Sequence, residues 1–239
     1  KEEIKIFPKT RKNEVLKFIK AGLEDFSISR PTKRMRGWGI PVPGDESQVI
    51  YVWCDALVNY LSGIGYVYDP EKFKKFWPAD VHVIGKDILR FHALIWPAIL
   101  LSANFALPKT ILVHGMVTSH GKKMSKSLGN VVNPFEYIEE FGYEALRYYL
   151  LREIPTLEDG DFTRENFIKC YNADLADNFG NLVRRVFLLA KKFFACVPKG
   201  ERDEELWKKM EEHIENYKKE MENFRLNLAC AELWKIFSL

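Results

Sequence analysis

Cysteine is scarce in this 239-residue chain, and its four thiols, Cys54, Cys170, Cys196 and Cys230, stand apart from one another. None belongs to a Cys-x-x-Cys pair or to a Cys/His cluster with ligand spacing, so no zinc site is expected. Isolated thiols fit a reducing compartment; the expected location is the cytoplasm, with an organelle left open. Long apolar runs are also lacking. The longest, from Phe91 to Leu107, is interrupted by His92, Pro97, Ser102 and Asn104. That is too short and too polar for a bilayer span, so it reads as a buried helix and no membrane partner is expected. No loop has Walker A spacing, which disfavours a P-loop nucleotidase. Neither sign of charge dominates: 36 Lys and Arg face 33 Asp and Glu, a net charge of +3. Any nucleic-acid contact must therefore come from local clusters. There is no internal repeat and no signal peptide. The first residue is Lys rather than Met, and the chain is expected to be cut from something longer.

What is present is core-forming material. Hydrophobic residues make up 47% of the chain, charged residues 29% and aromatic residues 14%, which excludes disorder and low-complexity architectures. Up to about Gly129, short apolar runs alternate with helical patterns. Gln48–Trp53, Val81–Ile84 and Thr110–Val113 are continuous runs rich in Val, Ile and aromatics, as in parallel strands buried on both faces. A helix over 87–103 between the second and third runs completes a βαβ unit, the building block of a doubly wound sheet.

Beyond Asn133 the pattern is helical. Asn133-Pro134 is a cap followed by a first-turn proline, Tyr143–Arg152 is amphipathic, Leu157–Phe162 reads as a turn, and Thr163 can cap a helix from Arg164. A long helix over 174–194 is expected to stop at Pro198-Lys199-Gly200. From Asp203, Leu206, Met210, Ile214, Tyr217, Met221, Phe224 and Leu228 recur at three and four, predicting one long helix with a single buried stripe.

In an open parallel sheet, ligands bind beyond the carboxyl ends of the strands. The three predicted strands end in Trp53-Cys54-Asp55, Gly85-Lys86-Asp87 and His114-Gly115. The last runs into Gly121-Lys122-Lys123-Met124-Ser125-Lys126-Ser127-Leu128-Gly129-Asn130. Ammonium groups on long stems in a small-residue loop suit phosphate charge that builds in a transition state. Taken alone, the lysines read equally well as a solvated basic turn, while His92 reads better as a satisfied core histidine and Asn181 and Arg185 as solvated helix surface.

Lys123-Met124-Ser125-Lys126-Ser127 resembles the KMSKS signature of class I aminoacyl-tRNA synthetases. The segments Tyr51–Leu57 (YVWCDAL), Ile84–His92 (IGKDILRFH), Phe26–Arg30 (FSISR) and Tyr171–Ala176 (YNADLA) resemble the methionyl-tRNA synthetases. The resemblance covers nearly the whole chain. It implies an α/β fold: the second half of a doubly wound, Rossmann-type parallel sheet over residues 1–116, a KMSKS loop and stem-contact region over 117–168, and an incomplete anticodon-binding helix bundle over 169–239. It implies ATP with Mg²⁺, and methionine and tRNA(Met) as partners, in a methionine–tRNA ligase. Leucine, isoleucine and valine enzymes are the nearest competitors within the class, and an inactive tRNA-binding or scaffold module is the rival outside it.

By the same resemblance, Trp53, Tyr60, Ile88 and His92 line the methionine side-chain pocket. Gly85, Asp87, His114 and Val117, with Lys123 and Lys126, bind ATP. Lys123, Lys126 and Arg30 are the catalytic group, Arg30 by ordering the site. Asn181 and Arg185, four apart on one helix face, contact the anticodon. Leu57 stands where some members carry Pro. The family's His-x-Gly-His motif is absent: His82, His92, His114, His120 and His213 do not form it. The expectation is therefore that an amino-terminal catalytic half, on the same or a separate chain, is a required partner, and that the 239 residues alone are inactive.

Overall fold

The computed structural model describes residues 4–194 and 200–239. The chain divides into two units, Lys1–Val113 and His114–Leu239. In chain order the first unit contains β1 (Lys5–Phe7), α1 (Lys9–Lys20), β2 (Ser29–Pro31), β3 (Pro41–Val42), β4 (Asp45–Ile50), α2 (Val52–Ser62), α3 (Pro70–Phe76) and β5 (His82–Gly85). A 3-10 turn (Lys86–Ile88), a π-helical turn (Phe91–Ile95), α4 (Trp96–Ser102) and β6 (Thr110–His114) follow, the last residue of β6 opening the second unit.

Two of the three predicted strands hold their places. β5 and β6 join β1 in a sheet of order β1-β6-β5, and β1 runs parallel to β6 with Ile6 opposite Ile111. Ile84, Ile111 and Val113 pack with Val15 and Leu89 in one core cluster, so helical residues cover the sheet. The third prediction is corrected. Residues 48–53 are not a strand of the parallel sheet: β4 pairs antiparallel with β2 and β3 in a separate sheet, and the chain turns into α2 at Val52. The polar lead-in Asp45-Glu46-Ser47 is exposed and Val49 alone in β4 is buried, so this is a strand at a surface. The apolar run spans the end of that strand and the first turn of a helix, which periodicity over six residues cannot separate.

The predicted helix over 87–103 is continuous but changes pitch. Pro97 lacks an N–H, and its ring would collide with the carbonyl four residues back. The chain meets this with the wider π turn at Phe91–Ile95, and Trp96 N–H reaches Phe91 O. Trp96 and Leu100 then close a second core with Leu57, Leu61 and Trp77.

The second unit begins with β7 (Val117–Ser119) and β8 (Lys122–Lys123), a 3-10 turn (Lys126–Leu128), α5 (Pro134–Phe141), α6 (Tyr143–Arg152), β9 (Gly160–Asp161) and α7 (Arg164–Cys170). A π-helical stretch (Tyr171–Gly180), α8 (Asn181–Phe193), α9 (Glu204–Glu222) and α10 (Leu226–Phe237) complete it. The predicted caps form: Asn133 accepts from Phe135 N–H and Thr163 from Asn166 N–H. Tyr137, Tyr149, Phe162 and Phe167 make an aromatic core with ring centroids about 5 Å apart.

Three expectations change here. Residues 157–162 are not simply a turn, because Gly160 and Asp161 pair parallel with Val117 and Thr118. The long helix continues to Phe193 through a π stretch, while the predicted stop at Pro198-Lys199 and Cys196 lie outside the described residues. The single helix expected from Asp203 is two, broken at Phe224. That residue takes φ 57°, Arg225 N–H bonds Glu220 O and Phe224 N–H bonds Met221 O. This is the paired closing pattern that usually recruits glycine at the left-handed position. Here phenylalanine holds it, so the punctuation was invisible and the apolar spacing ran on unbroken. α9 and α10 then pack on each other, joined by His213 and Glu232 at 2.8 Å.

Gly115 fixes the entry to the β7–β8 hairpin. Its N–H donates to Thr156 O, and a Cβ there would lie 1.8 Å from the Glu158 carbonyl oxygen. Gly115→Ala is therefore expected to destabilise the second unit by about 3 kcal/mol, read as an earlier urea transition. An unchanged midpoint would show that the backbone can retreat without cost.

Candidate functional site

In the first unit, the four residues predicted to contact methionine converge on one imidazole. Ile88 belongs to the 3-10 turn after β5, His92 to the π turn, and Trp53 and Tyr60 to α2. His92 is 2% exposed. Its Nδ1 lies 3.1 Å from Ile88 O and its Nε2 lies 2.9 Å from Tyr60 Oη. A carbonyl oxygen can only accept, so Nδ1 carries the proton and donates to Ile88. Nε2 then keeps its lone pair and the Tyr60 hydroxyl donates to it. Burial pushes the His92 pKa down, against the Ile88 hydrogen bond, which favours the charged form; burial likewise raises that of Tyr60.

Rings complete the surround. Trp53 stacks on Phe91 at 4.2 Å and meets His92 edge-on at 6.1 Å. Tyr60 leans on His82 at 4.4 Å, and Trp96 Nε1–H donates to His82 Nε2 at 3.3 Å. Phe91 and His82 were given no role from the sequence. Phe91 was readable as the aromatic neighbour of His92; His82 looked like an ordinary strand position. Leu57, 1% exposed, supports this wall from the core.

The remaining first-unit residues sit nearby in the same framework. Gly85 ends β5, and Asp87, exposed, lies in the following 3-10 turn. Arg30 on β2 lies over the Tyr51 ring at 3.9 Å and donates to the carbonyls of Ser27 and Ser29. Tyr51 in turn contacts Phe91. The prediction that Trp53-Cys54-Asp55 marks a strand end is corrected: these residues enter on the first turn of α2.

In the second unit, His114 ends β6 and donates from Nδ1 to Gly115 O at 2.7 Å, while Val117 is exposed on β7. The hairpin turn His120-Gly121 has both residues at positive φ, 52° and 70°. Asp161 Oδ1 accepts from Gly121 N–H and from Thr118 Oγ, each at 2.7 Å. These two hydrogen bonds hold the Asp161 carboxyl below its ordinary range. Asn130 closes the lysine loop, accepting from Ser125 N–H at 2.9 Å and donating to Lys123 O at 3.2 Å. Met124 packs against the aromatic core between two exposed lysines. Asp161 was read as turn chemistry, and its role required knowing that β9 lies beside β7. Among the described residues, Lys122, Lys123 and Lys126 pair with no carboxylate.

Asn181 and Arg185 are exposed on α8. Asn181 donates to Asp177 O at 2.9 Å, and Arg185 has no ion-pair partner among the described residues. Behind α8, Asp174 of the π stretch accepts from Tyr148 and Arg152 of α6, and Trp234 of α10 donates to the Tyr148 hydroxyl. Among the described residues, no group of three His, Cys, Asp or Glu side chains is placed to hold a metal ion, and no helix is long and apolar enough to cross a membrane.

His82 gives the first unit a pH dependence. Burial, and then the neighbouring His92, lower its pKa to about 4 from the ordinary 6.5. Between those values the unfolded chain binds a proton that the native one excludes. The contribution is thus fully present above pH 6.5 and is lost as pH falls towards 4, on the order of 2 kcal/mol. The Tm should drop between pH 7 and pH 4.5, and less steeply in His82→Gln; parallel declines would contradict this.

The comparisons with known proteins identify the family. The family described as "tRNA synthetases class I (M)" matches residues 1–187. A methionine–tRNA ligase of Brucella suis is 44% identical over 97% of this chain and 45% of its own length. One from Caldanaerobacter subterraneus is 46% identical over 98% of this chain and 37% of its own length. The chain thus spans less than half of these relatives. The methionyl-tRNA synthetase of Mycobacterium tuberculosis in complex with methionyl-adenylate superposes with a TM-score of 0.89 at 40% identity, over 98% of this chain and 47% of that one. By family match and by identity over nearly its whole length, this chain belongs to the class I tRNA synthetases of the methionine group.

Proposed function

We propose that the chain is the carboxyl half of the catalytic domain, with part of the anticodon-binding domain, of a methionine–tRNA ligase. The observation that carries the reading is the buried, neutral His92 within a ring of Trp53, Tyr60 and Phe91. A thioether is polarizable and favours aromatic contact, so such a wall suits methionine over a purely aliphatic side chain. The solved relative in complex with methionyl-adenylate supports the same substrate.

In the proposed reaction the methionine carboxylate attacks the α-phosphorus of ATP and pyrophosphate leaves. A tRNA 3′-terminal hydroxyl then attacks the acyl carbon and AMP leaves. No side-chain nucleophile is needed; the work is positioning and charge stabilisation. Lys123 and Lys126, paired with no carboxylate among the described residues, neutralise the charge that develops on the phosphates. Gly85, Asp87, His114 and Val117 hold the nucleotide, Asp87 by accepting from ribose hydroxyls. Arg30 orders the pocket through Tyr51. Mg²⁺ enters with ATP as part of the substrate. Asn181 and Arg185 read the anticodon. The activity belongs to a longer protein, and these 239 residues alone are expected to be inert in ATP–pyrophosphate exchange.

Two substitutions separate the roles, each made in the full-length protein that carries this sequence. Lys126→Ala should slow adenylate formation by about 3 kcal/mol, on the order of a hundredfold, with methionine affinity little changed. A single-turnover adenylation rate equal to the unmodified protein's would remove the lysine from the mechanism. Arg185→Ala should leave exchange intact and reduce aminoacylation of tRNA by about 1–3 kcal/mol. Equal loss of both activities would make α8 a structural element and not a recognition surface.

A further inference from the structure

Beside the proposed methionine pocket stands a second buried imidazole, to which the proposed reaction gives no part. His82 is 5% exposed. Strand alternation turns it and Ile84 inward on β5, while Val83 between them faces out. Its Nε2 accepts from Trp96 Nε1–H at 3.3 Å, so the proton sits on Nδ1 and the ring is neutral. Acceptors are short in this cluster. Trp77 Nε1, also buried, has no hydrogen-bond partner among the described residues. Loss of the His82 nitrogen would leave a second indole N–H in the same position. The face of the same ring lies against Tyr60. Their centroids are 4.4 Å apart, closer than Tyr60 comes to His92 at 5.7 Å or to Trp96 at 6.0 Å. Tyr60 needs this support. It is 36% exposed, and its hydroxyl is tied to His92 Nε2. A hydrogen bond at the tip fixes the oxygen, but the torsion that sets the plane of a tyrosine ring is soft.

We infer that His82 is a positioning residue that sets the selectivity of the amino-acid pocket: its face fixes the plane of Tyr60, and Tyr60 fixes both the hydrogen bond to His92 and the wall that the substrate side chain meets. Trp53 lies about two turns from Tyr60 on the same face of α2. A tilt of Tyr60 relative to Trp53 changes the width of that wall. Histidine performs two separable duties here. Its edge supplies the acceptor for Trp96, and its face supports Tyr60. Phenylalanine would keep only the face, and glutamine only the acceptor. The inference rests on the ligase reading above and adds what holds its pocket to one length of side chain.

The test uses the full-length protein that carries this sequence. His82→Gln should raise the KM for methionine about fivefold, more than it changes kcat or the KM for ATP in pyrophosphate exchange. It should also narrow the preference for methionine over its S-ethyl analogue, one methylene longer. His82→Phe should restore the KM and the preference but lower the Tm, because Trp96 N–H is left without its acceptor. In ¹⁵N-histidine spectra, which need no substrate, the His92 Nε2 resonance should move in His82→Gln and return in His82→Phe. An unchanged methionine KM and preference in His82→Gln would overturn the inference, as would an unmoved His92 resonance. So would an equal rise in the KM for methionine and for ATP, the mark of a role in stability alone. If His82→Phe does not fold, the preference ratio and the spectrum of His82→Gln decide. Absence of exchange in the unmodified full-length protein would instead overturn the ligase reading, and the spectra would still show whether His82 positions Tyr60.

Discussion

The first unit depends on keeping one imidazole neutral and out of water. His92 is held from both sides, donating to the Ile88 carbonyl and accepting from the Tyr60 hydroxyl. Each bond requires the other. If Nε2 were also protonated, its N–H would have to donate to the Tyr60 oxygen, and an imidazolium would stand in a site where burial disfavours the charged form. The surrounding rings exclude the water that would otherwise stabilise the cation. The local helical geometry serves this arrangement: a proline at residue 97 widens the preceding turn, and His92 lies within that wider turn. Wide turns of this kind recur where a side chain must be placed for function.

The second unit follows the opposite rule. The role proposed for its lysines needs them unneutralised, and the Asp161 carboxylate and Asn130 amide near the loop are committed to other partners. Asp161 is occupied by Thr118 and Gly121, and Asn130 by Ser125 and Lys123 O. Met124 anchors the loop in the aromatic core. The ammonium groups remain exposed on a tethered scaffold and, among the described residues, pair with no carboxylate.

Much of this was legible because it is written in local chemistry. The Asn133 and Thr163 caps, the strands around Ile84 and Ile111 and the lysine loop each declare themselves within a few residues. The failures share one cause, which is that the deciding contact is distant or lacks its usual residue. Residues 48–53 were misplaced because a surface strand and a helix start look alike when both are apolar. Asp161 was passed over because its partners are 40 and 43 positions earlier in the chain. The break at Phe224 was missed because glycine, the usual marker of that backbone, is absent. The pocket residues came from a family resemblance: on spacing alone His92 could have been any buried histidine.

The account stands most directly on the protonation of His92. Nitrogen NMR of the protein carrying ¹⁵N-labelled histidine, with the resonance assigned by its loss in His92→Gln, reads the tautomer at each ring nitrogen. The structure requires a protonated Nδ1 and a bare Nε2, unchanged as the pH falls through the ordinary histidine range around 6.5. A proton on Nε2 at neutral pH, or an imidazolium appearing with an ordinary titration, would contradict the hydrogen-bond chain on which the proposed methionine pocket is built.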